Sequence, residues 1–271
     1  MCGILGWCNF KEKPSIEILR NLSKNIFLRG PDAYGEYDSE KISMVHRRLS
    51  IIDLTEKSNQ PFRDPATGNV IAFNGEIYNF KEIKNEILAQ KKNVNFTSLG
   101  DTEVILKAYQ EFGIEKLLEK LDGMFAFAIW DNQKQKLFLV RDKFGEKPLF
   151  YASDNNNGII FGSTYSILAS HPQIKKNSKL NLKSLNQYLT LNYLLFENTF
   201  DENIKSLKPS NYLVIKKKDD SIQIEQKQYW NLNSFVIEKN NCQLEEAKEK
   251  FLYLLKNSIK SRIVSDVDVG T

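Results

Sequence analysis

Cys2 directly follows the initiator methionine in Met1-Cys2-Gly3-Ile4. Trimming of Met1 would leave one residue carrying both a thiol and a free α-amine. The thiolate is a strong nucleophile, and an α-amine of unperturbed pKa about 8 is partly an unprotonated base near neutral pH. A nucleophile so placed brings its own general base, as a threonine activated by its own amine does. The competing reading of Cys2 is a small buried residue at the start of a strand.

To hydrolyse a free amino-acid amide, such a nucleophile needs a carboxylate clamp, an ammonium receptor and oxyanion donors. Candidates follow in chain order. His46-Arg47-Arg48-Leu49-Ser50-Ile51-Ile52-Asp53 puts two guanidiniums beside a strand, and arginine holds carboxylates bidentately. Phe73-Asn74-Gly75-Glu76 offers a side-chain amide next to a glycine with a sterically open N–H, an oxyanion pair. Leu99-Gly100-Asp101-Thr102-Glu103 sets a carboxylate at a helix start, where it can accept from an ammonium group. Taken singly, Arg48 also reads as a surface ion pair, Asn74-Gly75 as a turn and Asp101 as a helix cap.

A Cys–His pair is the rival mechanism, and the chain has two histidines, His46 and His171. A structural hydrogen bond beside Arg48 is the favoured role for His46, and a C-terminal helix cap for His171 before Pro172. Cys8, at even spacing from Cys2, reads as packing, and Cys242 lies in a polar connector with no assigned chemistry.

The elements that must position these residues are legible as periodicities. Residues 2–10, 43–52, 69–77, 124–130, 136–141, 149–151 and 158–161 read as strands, several apolar throughout and so buried on both faces. Helices are predicted from Ser15, over 81–90, over 102–112 with Asp101 as N-cap, up to Ser170, and over 183–191. A hairpin of 212–217 and 221–229 has Lys216-Lys217-Lys218-Asp219-Asp220 as a solvated tip. Residues 230–241 read as a connector, and 244–264 as a helix by Ala247, Phe251, Leu254, Leu255 and Ile259. Its apolar face predicts self-association, a homodimer at the simplest. Strands and helices together, with helices expected to cover the sheets, indicate an α+β fold in layers.

Composition narrows the class. The 271 residues are 41% hydrophobic and 27% charged, ordinary for a globular protein, and the net charge of +4 is too dispersed for a nucleic-acid surface. Three cysteines without metal spacing fit a reducing compartment. Without a membrane-length apolar run or a signal peptide, a cytoplasmic location is expected.

Taken together in this order, the segments resemble glutamine-dependent asparagine synthetases, whose N-terminal half is a class II glutamine amidotransferase of the N-terminal-nucleophile hydrolase fold. Met1 to Ile4, Arg29-Gly30-Pro31-Asp32, His46 to Asp53, Asn74 to Asn79, Gly100 to Glu103, Leu121 to Phe127 and Arg141 to Gly145 carry the resemblance. It implies a four-layer αββα fold, two mainly antiparallel sheets between helices with Cys2 in a cleft between sheet ends. It places a glutaminase domain and its connector over 2–229 and the start of an ATP-binding synthetase domain over 230–271. It also implies Cys2 as nucleophile with its α-amine as base, and Arg48 as clamp of the glutamine carboxylate. Asn74 and Gly75 would form the oxyanion hole, and Glu76 and Asp101 would receive the ammonium. L-Glutamine is the implied substrate. No metal or cofactor is implied here, because ATP and Mg belong to the synthetase domain.

That domain opens in the family with a Ser-Gly-Gly-x-Asp-Ser phosphate loop, and the sequence stops at Gly270-Thr271. The expectation is therefore a glutaminase half that serves a synthetase domain in cis or in trans. The alternatives are a non-catalytic remnant used as an interaction module, or a glutaminase for sugar or polysaccharide amidation. A glutaminase for a phosphoribosyl or hexosamine synthase shares the fold and the Cys2 start, but Asn74 to Asn79 and the Val267-Asp268-Val269-Gly270 tail favour the asparagine-synthetase group.

Overall fold

The structure, a computed structural model, describes residues 1–271 apart from 92, 93, 155, 156, 196, 236–241, 269 and 271. In chain order its elements are β1 (Gly3–Asn9), α1 (Ile16–Ser23), β2 (Ala33–Asp38), β3 (Ile42–Arg48), β4 (Phe62–Arg63), β5 (Val70–Ile77), α2 (Phe80–Gln90) and α3 (Asp101–Lys120). Then come β6 (Gly123–Asp131), β7 (Lys136–Arg141), β8 (Phe150–Ser153), β9 (Gly158–Gly162), α4 (Tyr165–Ala169), α5 (Pro172–Lys175) and α6 (Leu182–Leu191). The chain closes with β10 (Ile204–Ser206), β11 (Asn211–Lys218), β12 (Ser221–Gln228) and α7 (Leu244–Arg262).

The strands form two six-stranded sheets, ordered β10-β8-β9-β1-β3-β2 and β12-β11-β7-β6-β5-β4. Neighbours in both pair antiparallel. Strand alternation explains how one chain fills three apolar layers. Ile4 and Cys8 of β1 and Met44 of β3 face Val70, Ala72 and Ala126 between the sheets. Leu5, Trp7 and Val45 point the other way, onto α1, α4 and α5. On the second sheet Ile71, Phe73 and Phe127 meet Ile83 and Ile87 of α2 and Val104 and Ile105 of α3. This is the expected αββα layering. Cys8 is fully buried, as its packing role requires, and truncating a neighbour such as Phe161 to Ala should cost about 3–5 kcal/mol.

The same alternation aims the chemistry. Arg48 shares the parity of Met44, and Asn74 that of Val70 and Ala72, so both project into the space between the sheets at the end where Cys2 enters β1.

Several expectations need correction. The strand predicted over 43–52 stops at Arg48, because the following backbone folds back and gives its carbonyls to the Arg48 guanidinium. The helix predicted to end at Phe112 resumes beyond Gly113 and runs to Lys120. Gly113 sits at φ 77°, which an L side chain rarely adopts, so it breaks the helix without ending it. β2 escaped notice because it is a half-exposed edge strand without clean alternation. His171 is an N-cap rather than a C-cap. It precedes Pro172, whose fixed φ suits a helix start, and its Nδ1 accepts from the Gln173 N–H at 3.3 Å. The basic hairpin tip is as expected, with Lys216 paired to Glu225 at 3.0 Å. The connector predicted over 230–241 lies partly outside the described residues, as do Val269 and Thr271 of the tail.

Candidate active site

A cavity of about 210 Å³ opens between the sheet ends, and Cys2, Arg48, Asn74, Gly75, Glu76 and Asp101 all line it. Four stretches far apart in sequence deliver them: the entry to β1, the end of β3, the end of β5 and the start of α3. The volume suits a small metabolite rather than a larger ligand, for which pockets of roughly 300 Å³ and more are usual.

Cys2 stands just before β1, with its backbone carbonyl accepting from Arg29 Nε at 3.0 Å. Its Sγ lies 3.4 Å from the Leu49 N–H and 3.5 Å from the Leu49 carbonyl oxygen. Burial pushes the thiol up, against the opposing pull of the Leu49 hydrogen bond. A thiol held this way is not a standing thiolate at neutral pH, so a base must take its proton as attack begins. In the same region burial pushes the Met1 ammonium down; nearby Cys2 raises it, while Arg29 and Lys147 add to the lowering. Met1 itself lines the cavity, and Lys147 Nζ lies 3.4 Å from its Sδ.

Asn74 is buried, and its Nδ2 has no hydrogen-bond partner. An orphaned buried amide donor is costly in an empty site and useful where an oxyanion develops. Gly75 beside it, at φ 157°, allows no other residue: a Cβ there would sit 2.1 Å from the Met124 carbonyl oxygen on β6. The close pairing of β5 with β6 thus demands glycine and leaves the Gly75 N–H unobstructed by a side chain.

Asp101 is the first residue of α3, not its cap. The N-cap is Gly100, and Asp101 Oδ2 reaches sideways to accept from the Ile77 N–H at 3.0 Å. Glu103, in the first turn of α3, ties down the preceding loop instead, accepting from the N–H groups of Thr97 at 2.9 Å and Ser98 at 2.6 Å. Burial pushes the Asp101 carboxyl up to about 7; the Ile77 hydrogen bond opposes this, and neighbouring Glu76 reinforces it. Glu76 is also pushed up by burial, with Lys147 pulling it back. Two carboxyls so placed prefer to share their site with a cation.

Arg48 is buried, and its terminal nitrogens donate to the loop that follows β3. Nη1 reaches the Thr55 carbonyl at 2.9 Å and Asn59 Oδ1 at 3.0 Å; Nη2 reaches the carbonyls of Ile52 at 3.2 Å and of Asp53. It therefore shapes the cavity wall and also supplies a permanent positive charge there. Asp53 locks the loop in turn. Burial opposes its charged form, but the hydroxyls of Ser58 and Thr55 and the N–H groups of Leu99 and Thr55 outweigh that and hold its carboxyl well below the usual range.

His46 is buried away from the cavity lining, with Nε2 on the Phe73 carbonyl oxygen at 2.9 Å. Burial pushes its pKa down to about 4, so at pH 7 it is a neutral ring donating from Nε2 to the second sheet. That is the structural hydrogen bond expected, and it leaves no Cys–His pair. The sequence reading missed Arg29, Leu49, Gln60 and Lys147. Arg29 and Leu49 lie inside segments already singled out, but Leu49 acts through its backbone; Lys147 falls just past Arg141 to Gly145, and Gln60, which accepts from the Phe73 N–H at 2.7 Å, gave no signal.

The two-sheet layers and this cavity lie within residues 1–230, which match the glutamine amidotransferase domain family. The chain belongs to that family. Over its whole length it is 35% identical to asparagine synthetase (glutamine-hydrolyzing) 2 of Bacillus subtilis (strain 168), spanning 36% of that protein. It is likewise 32% identical over its whole length to a putative asparagine synthetase (glutamine-hydrolyzing) 2 of Methanocaldococcus jannaschii, spanning 54% of it. Among solved structures, a glutamine phosphoribosylpyrophosphate amidotransferase from B. subtilis shares the fold. Its TM-score is 0.60 at 15% identity, covering 84% of this chain and 49% of that one. Among the described residues no helix is long and apolar enough to cross a membrane.

Proposed function

We propose that this chain hydrolyses L-glutamine to L-glutamate and ammonia through a γ-glutamyl thioester on Cys2. Removal of Met1 frees the Cys2 α-amine, which takes the thiol proton as sulfur attacks the side-chain amide carbon. Asn74 Nδ2 and the Gly75 N–H hold the tetrahedral oxyanion. The amine passes its proton to the departing ammonia, and water then splits the thioester, returning the thiol and releasing glutamate. Arg48 faces the substrate α-carboxylate, while Glu76 and Asp101 receive its α-ammonium.

The observation that carries this reading is the orphaned Asn74 amide in a cavity shared with the Cys2 thiol and two carboxyls raised by burial. The hydrolysis uses only the chain's own groups and water. In this reading the ammonia serves ATP-dependent amidation of aspartate in a synthetase domain, in cis or in trans, where ATP and Mg²⁺ belong. The test is glutamate release from glutamine. Wild type should turn over and Cys2→Ala should not; equal rates for the two would refute the assignment.

A further inference from the structure

The loop that walls the cavity is held from an unexpected direction. The Asp53 N–H donates to Asp266 Oδ2 at 2.7 Å, across 213 residues of sequence, and the Asp266 N–H donates to the Ile51 carbonyl at 2.9 Å. Two reciprocal bonds join the segment after α7 to the two ends of Ile51-Ile52-Asp53. The chain just before Asp266 is anchored as well. Val264 packs on the apolar layer between α2, α3 and the second sheet, and the Arg262 guanidinium lies 4.9 Å from the Tyr78 ring centroid.

Asp53 is a demanding residue to hold. Its φ of 53° is left-handed, a conformation that non-glycine residues keep only where the surroundings fix it. Its carboxylate is fixed from within, by Thr55, Ser58 and Leu99. Its N–H is fixed by Asp266. Arg48 takes the carbonyls of the same residues, Ile52 and Asp53, so the arginine's placement depends on the turn being kept.

We infer that Asp266 is a positioning residue for glutamine binding: it clamps the Ile51–Asp53 turn, and through that turn it sets the Arg48 wall of the cavity. This rests on the function proposed above. It gives the segment beyond α7 a direct hold on substrate affinity, so a displacement of the end of α7 is felt at the loop without passing through the core.

The test compares Asp266→Ala with Asp266→Asn, which keeps an oxygen acceptor, in the full chain. Hydrogen exchange reads the clamp and steady-state kinetics read its consequence. Asp266→Ala should speed amide exchange in residues 49–55 and raise KM for glutamine about fivefold or more, in line with losing a hydrogen bond to a charged acceptor. Its kcat should stay within about twofold, and Asp266→Asn should recover most of the loss. Unchanged exchange in Asp266→Ala would overturn the clamp. Faster exchange with an unchanged KM would overturn its link to binding, as would a fall in kcat and in unfolding temperature without a rise in KM. If wild type itself released no glutamate, the functional reading would fall, while the exchange data would still decide whether Asp266 holds the turn.

Discussion

Leu49 flanks the Cys2 sulfur with both polar groups of its own residue, the N–H 3.4 Å away and the carbonyl oxygen 3.5 Å away. The donor favours a thiolate and the acceptor a thiol, and burial tips the balance to the thiol. In protein that retains Met1, a brief iodoacetamide pulse at pH 7 should therefore label exposed Cys242 well ahead of Cys2, while buried Cys8 stays unmodified. Labelling of Cys2, read by peptide mass, should rise between pH 7 and pH 9. Faster labelling of Cys2 at pH 7 would mean a standing thiolate and a different activation.

Asn74 separates activity from stability. Asn74→Ala removes an oxyanion donor and should lower kcat by about 10²–10³-fold. It also removes a buried amide nitrogen that has no partner, so the unfolding temperature should hold or rise. Paired kinetics and thermal melts check this. A large fall in stability with kcat intact would assign Asn74 to the fold instead.

Asp101 predicts a pH signature. Its folded-state pKa is raised to about 7, so the protonated form is the one folding prefers. The stability this confers is complete below the unfolded value and is lost as pH rises through about 7. Asp101→Asn can keep the acceptor for the Ile77 N–H but cannot ionise, so its melting temperature should exceed that of wild type at pH 8 and approach it at pH 4. Glutamine binding runs the other way, because the ammonium wants the carboxylate. Wild-type KM should fall as pH rises through about 7. In Asp101→Asn it should be about 30-fold higher or more and lose that dependence, the cost of leaving a charge unpaired. A pH-independent wild-type KM would remove Asp101 from the ammonium site.

The layers were legible because strand alternation and helix periodicity are local signals, and the candidate site residues because each stands in a short motif. Ile4, Cys8, Met44, Val70 and Ala72 announce one buried face, and the elements carrying Arg48 and Asn74 follow from it. What stayed hidden depends on contacts between distant segments. Arg48 ends its strand because it gathers carbonyls from residues ahead of it. Asp101 heads α3 rather than capping it, because Gly100 takes the N-cap place and the Ile77 N–H lies within reach. Gly113 leaves a helix broken but not finished, and that turns on one backbone angle. The Asp266 tie to Asp53 has no local signature, since nothing near either residue implies the other.

The central claim is that Cys2 acts as an N-terminal nucleophile with its own amine as base. The most direct measurement is glutamate release by two preparations of the same chain, one trimmed of Met1 and one with a short N-terminal extension, each defined by intact mass. The trimmed protein should hydrolyse glutamine. The extended one should be folded by circular dichroism, yet slower by about 10²-fold or more through loss of the general base. Full activity in the extended protein would contradict the account.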